Sequence, residues 1–463
     1  MSGSEPLQLS DLIFSNAATD FNRVLGDIKR ATLSIRNRLQ SIEHDAAFVA
    51  SVAEAYGLPL VANERCGSWY IPPSRKEQSA YFKSTDGHIS QWSFSLRRLN
   101  LQVLDTIAGH EGCIIIDSTR RGKSMPDALS KTVPIWTTVL NRVLFPSHTH
   151  CHELRTPGIA VTASEHSQIE ARIAGFVTQL QTKTKSLSLD LSVLRDKLRK
   201  PLQPLWVTQD SLLPFSPPTY PDVHPVVLCT ASRRVPAGEA SEGGYIQGAA
   251  DDSESWAHGL TAPVFWTHKD ELLRTSEESL PSLISSLTQL ASSVSVPRCA
   301  LIEPTRQVYL GTLDAAALSA TSADFAAVIT ASPTPDPTLA STLTGTKHLH
   351  LPLSLGKVGS RQLRHELPEL LPFLVPLLTS DPDARVLVAC PSGKDHSVGI
   401  ALAILCLLAN EQGDLAPGEG GNGSGRGLNK QTIKQRLSWI MVSVPDANPS
   451  RATLQSVNAL LLG

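Results

Sequence analysis

Residues 113–136, CIIIDSTRRGKSMPDALSKTVPIW, run from four apolar side chains into an acid, two hydroxyls, three bases and a glycine. Cys113 to Ile116 suit a strand buried on both faces. Asp117, Ser118, Thr119, Arg120, Arg121, Gly122 and Lys123 are therefore expected at the carboxyl end of that strand. Hydroxyls and backbone amides in such a place can wrap phosphate oxygens, and Gly122 lets the chain turn tightly beside an anion. Arg120, Arg121, Lys123 and Lys131 add positive charge, while Asp117 or Asp127 could hold a Mg2+ ion bridging a diphosphate or accept a proton. The same string also fits a solvated basic turn after a core strand.

A second stretch, PVVLCTASRRV at 225–235, repeats the design on a smaller scale: an apolar strand, then Thr230, Ser232, Arg233 and Arg234. It is a second candidate anion site. His148, His150, Cys151 and His152 form a local cluster whose alternation would place the three histidines on one face of a strand. A surface loop is the preferred reading of that cluster.

Residues 113–136, with VANERCGSWY at 61–70, YFKSTDGHISQWSFSLRRLN at 81–100, GYIQGAADDSESWAHGLTAPVFW at 244–266, CPSGKDHS at 390–397 and NPSR at 448–451, closely resemble the eukaryotic initiator-tRNA 2'-O-ribosyl phosphate transferases. The resemblance covers nearly the whole chain. It implies transfer of a 5-phosphoribosyl group from phosphoribosyl pyrophosphate to the ribose 2'-hydroxyl of an adenosine in the T-stem of initiator methionine tRNA. Pyrophosphate is released, and the bulky anionic mark keeps that tRNA out of elongation. Type I phosphoribosyltransferases also place an acid after an apolar strand, but with two adjacent acids and a Thr-Gly pair, which Asp117-Ser118 does not match.

From about residue 297 the pattern changes. VYLGTLDAA, AAVITASP, KHLHLPLSL, ELPELLPFLVPLL and RVLVAC followed by GIALAILCLLA resemble, in order, the elements of dual-specificity phosphatases. Two α/β domains are expected: a family-specific transferase domain at 1–296, and at 297–463 a phosphatase-like domain with a central sheet flanked by helices. In that second family a Cys, five residues and an Arg form a phosphate cradle between a strand and a helix. Here Cys390, Pro391, Ser392, Gly393, Lys394, Asp395, His396 and Ser397 occupy the loop, with His396 in place of the arginine. An imidazole lacks the guanidinium's fork of donors, and a carboxylate at Asp395 disfavours a neighbouring thiolate.

The resemblances therefore imply a cradle kept for binding. Cys390, Ser392, Gly393 and Ser397 would hold phosphate, with Lys394 and His396 completing a donor pocket that also receives Lys83, Ser118, Thr119, Arg120, Arg121, Gly122 and Lys123. Asp117 is the first choice for Mg2+ or the ribose, and Asp395 or Asp127 for the base that activates the hydroxyl. For tRNA, Arg97, Arg98 and Lys131, flanked by Trp92 and Trp136, together with Arg233 and Arg234, are expected to meet the RNA backbone. A catalytically silent tRNA-binding protein, or a phosphatase acting through Cys390, are the competing readings.

Composition agrees with an ordinary enzyme. The chain has 463 residues, 41% of them apolar, a net charge of -2 and seven scattered cysteines without disulfide or zinc-ribbon spacing. Residues 1–200 carry 24 Lys and Arg against 19 Asp and Glu, the remainder 17 against 24, so the amino-terminal part is the better RNA surface. The start lacks a secretory pattern, and no apolar run is long enough to span a bilayer. A cytoplasmic protein is expected, taken as monomeric, with no membrane or DNA partner.

The periodicity predicts helices over 9–56, strands and turns over 56–94, a helix from a capping Ser164, and a serine-faced helix over 275–297. The glycine-rich insertion 413–430 is expected to be mobile.

Overall fold

The computed structural model describes residues 33–463 apart from 84–90, 97, 187–190, 237–241, 293–298, 320–324, 337–344, 355, 411, 416–427, 445 and 463. Arg97, most of the glycine-rich insertion and the start of the expected amino-terminal helices lie outside the described residues. Helix α1, Ile35–Tyr56, opens on Ser34, whose Oγ accepts from the Asn37 amide, and closes on the left-handed Gly57. Ile35, Leu39, Ile42, Val49 and Val52 are buried on one face, as their spacing predicts.

The first sheet joins β1 (Leu60–Asn63), β2 (Lys76–Ala80), β3 (Cys113–Asp117), β4 (Leu202–Val207) and β5 (His224–Thr230) in the order β2-β1-β3-β5-β4, with all neighbours parallel. β3 and β5 are buried throughout, and their side chains alternate between two cores. Cys113, Ile115, Val226 and Leu228 meet α2 (Leu101–His110), α3 (Val133–Leu144) and α4 (Ala163–Ser186) on one face. Ile114, Ile116, Val227 and Cys229 meet α1 and α5 (Leu280–Ser292) on the other. Helices on both sides leave no solvated face, which is why these strands are continuous apolar runs.

The winding reverses between β1 and β3. In open parallel sheets the crevice outside the carboxyl ends at that point receives ligands, because the connections diverge from it to opposite faces.

The second sheet orders β6 (Cys299–Leu301), β7 (Val308–Thr312), β8 (Ala327–Ser332), β9 (Lys347–Pro352) and β10 (Val386–Cys390) as β6-β7-β10-β8-β9, with β6 alone antiparallel. Around it lie α6 (Gly356–Glu366), α7 (Leu370–Ser380), α8 (His396–Leu408), α9 (Lys430–Ser443) and α10 (Arg451–Leu461). Central β10 ends on Cys390, and α8, starting at His396, is buried along nearly its whole length. Both lobes have the expected α/β class. The histidine cluster differs from its strand alternative: Thr149–Cys151 is a single 3-10 turn, and His152 Nε2 lies 2.9 Å from the Phe145 carbonyl.

Gly67 sits in the β1/β3 crevice, where a Cβ would lie 2.4 Å from the Ile116 carbonyl oxygen. Gly67→Ala is expected to lower stability by about 1–3 kcal/mol through overpacking against backbone. Gly109→Ala, within α2 and with open space around it, is expected to gain about 0.5–1 kcal/mol. Urea midpoints of the two variants check the contrast.

Candidate active site between the two lobes

Asp117 closes β3 with its side chain fully buried. Its carboxylate accepts from Asn63 Nδ2 at 2.9 Å, Arg65 Nη2 at 2.9 Å, Cys66 Sγ at 3.0 Å and the Ser118 amide at 2.8 Å. Arg65, two residues beyond β1, also places Nη1 3.1 Å from Asp251 Oδ2 and donates to the Ser118 carbonyl. Ser118 Oγ donates to Asp251 at 2.9 Å and accepts from Tyr70 Oη at 3.1 Å. One guanidinium thus joins two buried carboxylates. Burial raises the Asp251 carboxyl, against the pull of Arg65, and pushes the Cys66 thiol well up, so that Cys66 acts as a donor.

These contacts differ from the expectation that Asp117 and Ser118 meet donor or metal directly. Both Asp117 oxygens already accept from protein donors and neither reaches solvent, so Asp117 does not fit a Mg2+ ion. Among the described residues no group of three or more His, Cys, Asp or Glu is placed to hold a metal.

The basic turn beyond is likewise closed on itself. The Thr119 amide donates to Ser232 Oγ at 3.1 Å, the Gly122 amide to Gln247 Oε1 at 3.0 Å, and Gln247 Nε2 to the Lys123 carbonyl at 2.7 Å. Arg234 Nε donates to the Gly122 carbonyl at 2.8 Å, and the Val235 amide to Gln247 Oε1. Gly122, at φ 72°, permits this seam. The amides of Ser118, Thr119 and Gly122 are therefore engaged within the fold and do not form the expected phosphate wrap. Instead the two turns after β3 and β5, read from sequence as separate anion sites, fuse into one ridge. Arg120, paired with Asp252, shares the ridge with exposed Arg121, Lys123, Arg233 and Arg234.

A cleft of about 470 Å³ lies between the lobes. The first lobe lines it with Glu64, Arg65, Lys76, Ser79 and Tyr81, and the second with Lys394, Asp446 and Asn448. Lys394 thus shares the cleft with Arg65 and Lys76, and Arg120, Arg121 and Lys123 are not among its lining residues. The chain leaves β3 through buried Asp117, Ser118 and Thr119 toward the β5 turn, which carries those cations to the ridge. Each lining ammonium has an acid beside it: Lys76 Nζ is 3.1 Å from Glu64, and Lys394 Nζ 3.4 Å from Asp446.

Arg98, expected to face RNA, bridges the lobes. Its Nη2 donates to Asn448 Oδ1 at 2.9 Å and to the Ala447 carbonyl at 3.3 Å, with the guanidinium 4.5 Å above the Tyr81 ring. The Asn448 amide donates to the Lys394 carbonyl at 2.8 Å, so the contact reaches the cleft. Exposed Lys83 lies apart, on a side cavity of about 340 Å³ that shares Tyr81 with the cleft. Lys131 is largely buried between Asp127, at 3.4 Å, and Glu165, at 2.8 Å, so both Lys131 and Asp127 are engaged in ion pairs within the fold.

In the second lobe Cys390 Sγ is buried 3.1 Å from Ser397 Oγ and 3.8 Å from Ser392 Oγ. His396 turns inward: its Nε2 is 3.4 Å from Ser360 Oγ, with the ring against Gly359. Asp395 Oδ1 accepts from the Ser450 amide at 2.8 Å and Thr453 Oγ1 at 2.5 Å, anchoring the start of α10. Gly393, at φ 65°, packs near Gly311. Of the residues expected from this loop to meet the donor, Lys394 is the one on the cleft wall.

Residues 28–289 match the Rit1 N-terminal domain, and residues 347–461 match the Rit1 DUSP-like domain. The chain belongs to the Rit1 family. A tRNA A64-2'-O-ribosylphosphate transferase of Saccharomyces cerevisiae is 32% identical over 503 residues, covering 96% of each protein. An uncharacterized protein of Schizosaccharomyces pombe is 40% identical over 451 residues, covering 92% of this chain and 94% of that one. The crystal structure of human DUSP28 is similar to 36% of this chain and 95% of its own, at 16% identity and a TM-score of 0.27.

The Rit1 N-terminal domain supplies the ridge, Arg65 and Lys76; the Rit1 DUSP-like domain supplies Lys394, Asp446 and Asn448. Arg65, Glu64, Lys76, Asp251 and Asp446 carry no role in the sequence reading. Arg65 and Asp251 lie inside two of the stretches that signal the Rit1 resemblance, yet nothing local marks them as partners.

Behind the ridge, Asp45 of α1 accepts from Tyr245 Oη at 2.9 Å and Gln209 Nε2 at 2.8 Å, and burial pushes its carboxyl up to about 8. Its folded pKa exceeds the unfolded one, so its contribution is full below about pH 4 and is lost as pH rises towards 8, by about 1.4 kcal/mol per unit at most. Asp45→Asn is expected to flatten that part of the stability profile, read by thermal unfolding from pH 5 to 9. Arg65→Met is expected to destabilise by about 3–5 kcal/mol, because two buried carboxylates lose their common partner. Arg65→Lys should fail to restore the loss, since an ammonium cannot bridge both acids in the same fork geometry; denaturant titration of both variants checks it.

Proposed function

We propose that this chain is a cytoplasmic tRNA-modifying enzyme, acting as a monomer, that transfers a 5-phosphoribosyl group from phosphoribosyl pyrophosphate to a ribose 2'-hydroxyl of initiator tRNA. The acceptor is a T-stem adenosine, pyrophosphate leaves, and the added phosphate keeps the tRNA from elongation. The observation that carries the reading is identity of 32% across 96% of a protein named for that transfer on A64. The interlobe cleft, lined by Lys394, Arg65 and Lys76, supports it as a place for an anionic donor.

Displacement at the anomeric carbon requires the departing diphosphate to be neutralised while a weak alcohol approaches. Fixed cations in a partly dry cleft do this with little reorganisation, at roughly 3–4 kcal/mol per well-placed donor by analogy with oxyanion sites. Lys394, Arg65 and Lys76 are assigned to the donor. Mg2+ bound by the diphosphate would supply further neutralisation, and Asp117, with no free oxygen, would not hold it. The ridge of Arg120, Arg121, Lys123, Arg233 and Arg234 is assigned to the tRNA backbone, because a stem is recognised by shape and phosphates. The phosphatase reading is weaker: the loop has no arginine, and Cys390 is buried against Ser397.

Incubation with labelled phosphoribosyl pyrophosphate, Mg2+ and initiator tRNA is expected to label the tRNA and release pyrophosphate; binding without labelling would instead identify a silent tRNA-binding protein. Binding of tRNA should weaken steeply with salt. Arg233→Ala and Arg234→Ala should each lower the log–log salt slope by about 1. Unchanged slopes would remove the ridge from the RNA surface.

A further inference from the structure

The side cavity next to the cleft, of about 340 Å³, has no part in the transfer described so far, yet it falls in the size range of small-molecule sites. Trp92, Phe94 and Trp136 give it a buried aromatic lining. Both indoles are fixed in place. Trp136 Nε1 donates to the Leu99 carbonyl at 2.7 Å, with the Phe82 ring edge-on at 5.3 Å. Trp92 Nε1 donates to Glu165 Oε1 at 3.0 Å, and the Arg172 guanidinium lies 4.8 Å from its ring. Exposed Lys83, Gln91 and Ser93 add an ammonium, an amide and a hydroxyl to the lining. Fixed aromatic surface with a few hydrogen-bonding groups suits a nucleobase better than a phosphate.

Position supplies the second argument. Tyr81 lines both the cavity and the cleft, and Arg98 on the cavity wall donates to Asn448 on the cleft wall. A base in the cavity would thus hold its ribose at the edge of the cleft. A stem displays its 2'-hydroxyls along a wide, shallow minor groove. Two paired strands are too broad for a cleft of about 470 Å³, where the donor is assigned. A single nucleotide turned out of the stack is not.

We propose that the side cavity takes the acceptor base, an adenine turned out of the T-stem, and so brings its 2'-hydroxyl to the donor. This rests on the transferase reading above. Contact with the fixed aromatic rings offsets part of the cost of unpairing and unstacking. Gln91 reads the base: its amide donates to N7 and accepts from the N6 amine of adenine, whereas guanine presents two acceptors at those places. Lys83 meets an adjoining phosphate.

The test is titration of the full chain with initiator tRNA in the absence of donor, the nucleotide opposite the acceptor adenosine being either intact or abasic. An abasic partner removes the pairing cost in advance, so binding is expected to tighten by about tenfold or more. Ser93→Trp, which adds bulk at an exposed position of the lining, should lose that gain. It should still bind the magnesium salt of phosphoribosyl pyrophosphate as the wild type does, which also shows that it is folded. With the partner abasic, guanosine in place of the acceptor adenosine should weaken binding to the wild type by about tenfold and to Gln91→Ala much less. A gain below about twofold, a loss, a full gain in Ser93→Trp, or an undiminished adenosine preference in Gln91→Ala would overturn the assignment and leave the stem recognised through its groove. Failure of the wild type to transfer would bring down the transferase reading in a separate assay, because the tRNA titrations contain no donor.

Discussion

Arg65 is the point on which the site depends. Its guanidinium ties Asp117 at the end of β3 to Asp251 in the segment that follows the ridge, and both acids are almost wholly out of water. Two carboxylates in so dry a place repel each other and lose hydration, a cost that only a shared, forked cation with fixed geometry can offset. Asn63, Cys66, Ser118 and Tyr70 supply the remaining donors, so the network is closed. Because its members come from β1, β3 and residues 245–252, it fixes the crevice where the sheet reverses its winding. The cleft wall that Arg65 presents is thus as rigid as the sheet behind it.

That rigidity explains how a chain with net charge -2 can be suited to anionic partners. The positive charge is sorted by place. The ridge gathers five basic residues on two adjacent strand ends, as expected for a sequence-independent grip on an RNA backbone. In the cleft, by contrast, each lysine has an acid beside it. A paired ammonium discriminates: a monoanion gains little by displacing its carboxylate, whereas a diphosphate offers several oxygens and more charge.

Part of this was legible in the sequence because it rests on local pattern. The apolar run ending at Asp117, its repeat ending at Thr230, and the loop after Cys390 all gave strands of parallel sheets with their polar residues at the carboxyl ends. The roles of those polar residues were not legible. Asp117 and Ser118 look like ligands in one dimension, but residues 65 and 251 complete their network from far along the chain, and only the β1/β3 register brings Arg65 to them. Lys131 and Arg98 read as RNA contacts because the charges that neutralise Lys131, at Asp127 and Glu165, and the lobe that Arg98 grips are invisible until the chain is folded. Carboxylates were hardest to rank. Asp395 beside the loop cysteine suggests chemistry, yet it anchors α10, while the acids on the cleft wall, Glu64 and Asp446, carry no chemical signal in one dimension.

The second lobe shows how a phosphate-binding architecture can change its use. In a phosphatase-like loop the arginine at the helix start reaches back over the mouth to grip the phosphoryl group. Here His396 folds the other way, against Gly359 and Ser360, and Asp395 turns to the start of α10. Both groups fasten α6, α8 and α10 together. What remains directed outward is Lys394, at the rim rather than the base of the loop, and it points to the other lobe. The loop presents one cation, Lys394, to the cleft that Arg65 and Lys76 also line. The buried α8 behind it and the Arg98–Asn448 link beside it hold the loop in place. The second lobe is therefore not an inert appendage: the wall that completes the cleft, with Lys394, Asp446 and Asn448, belongs to it.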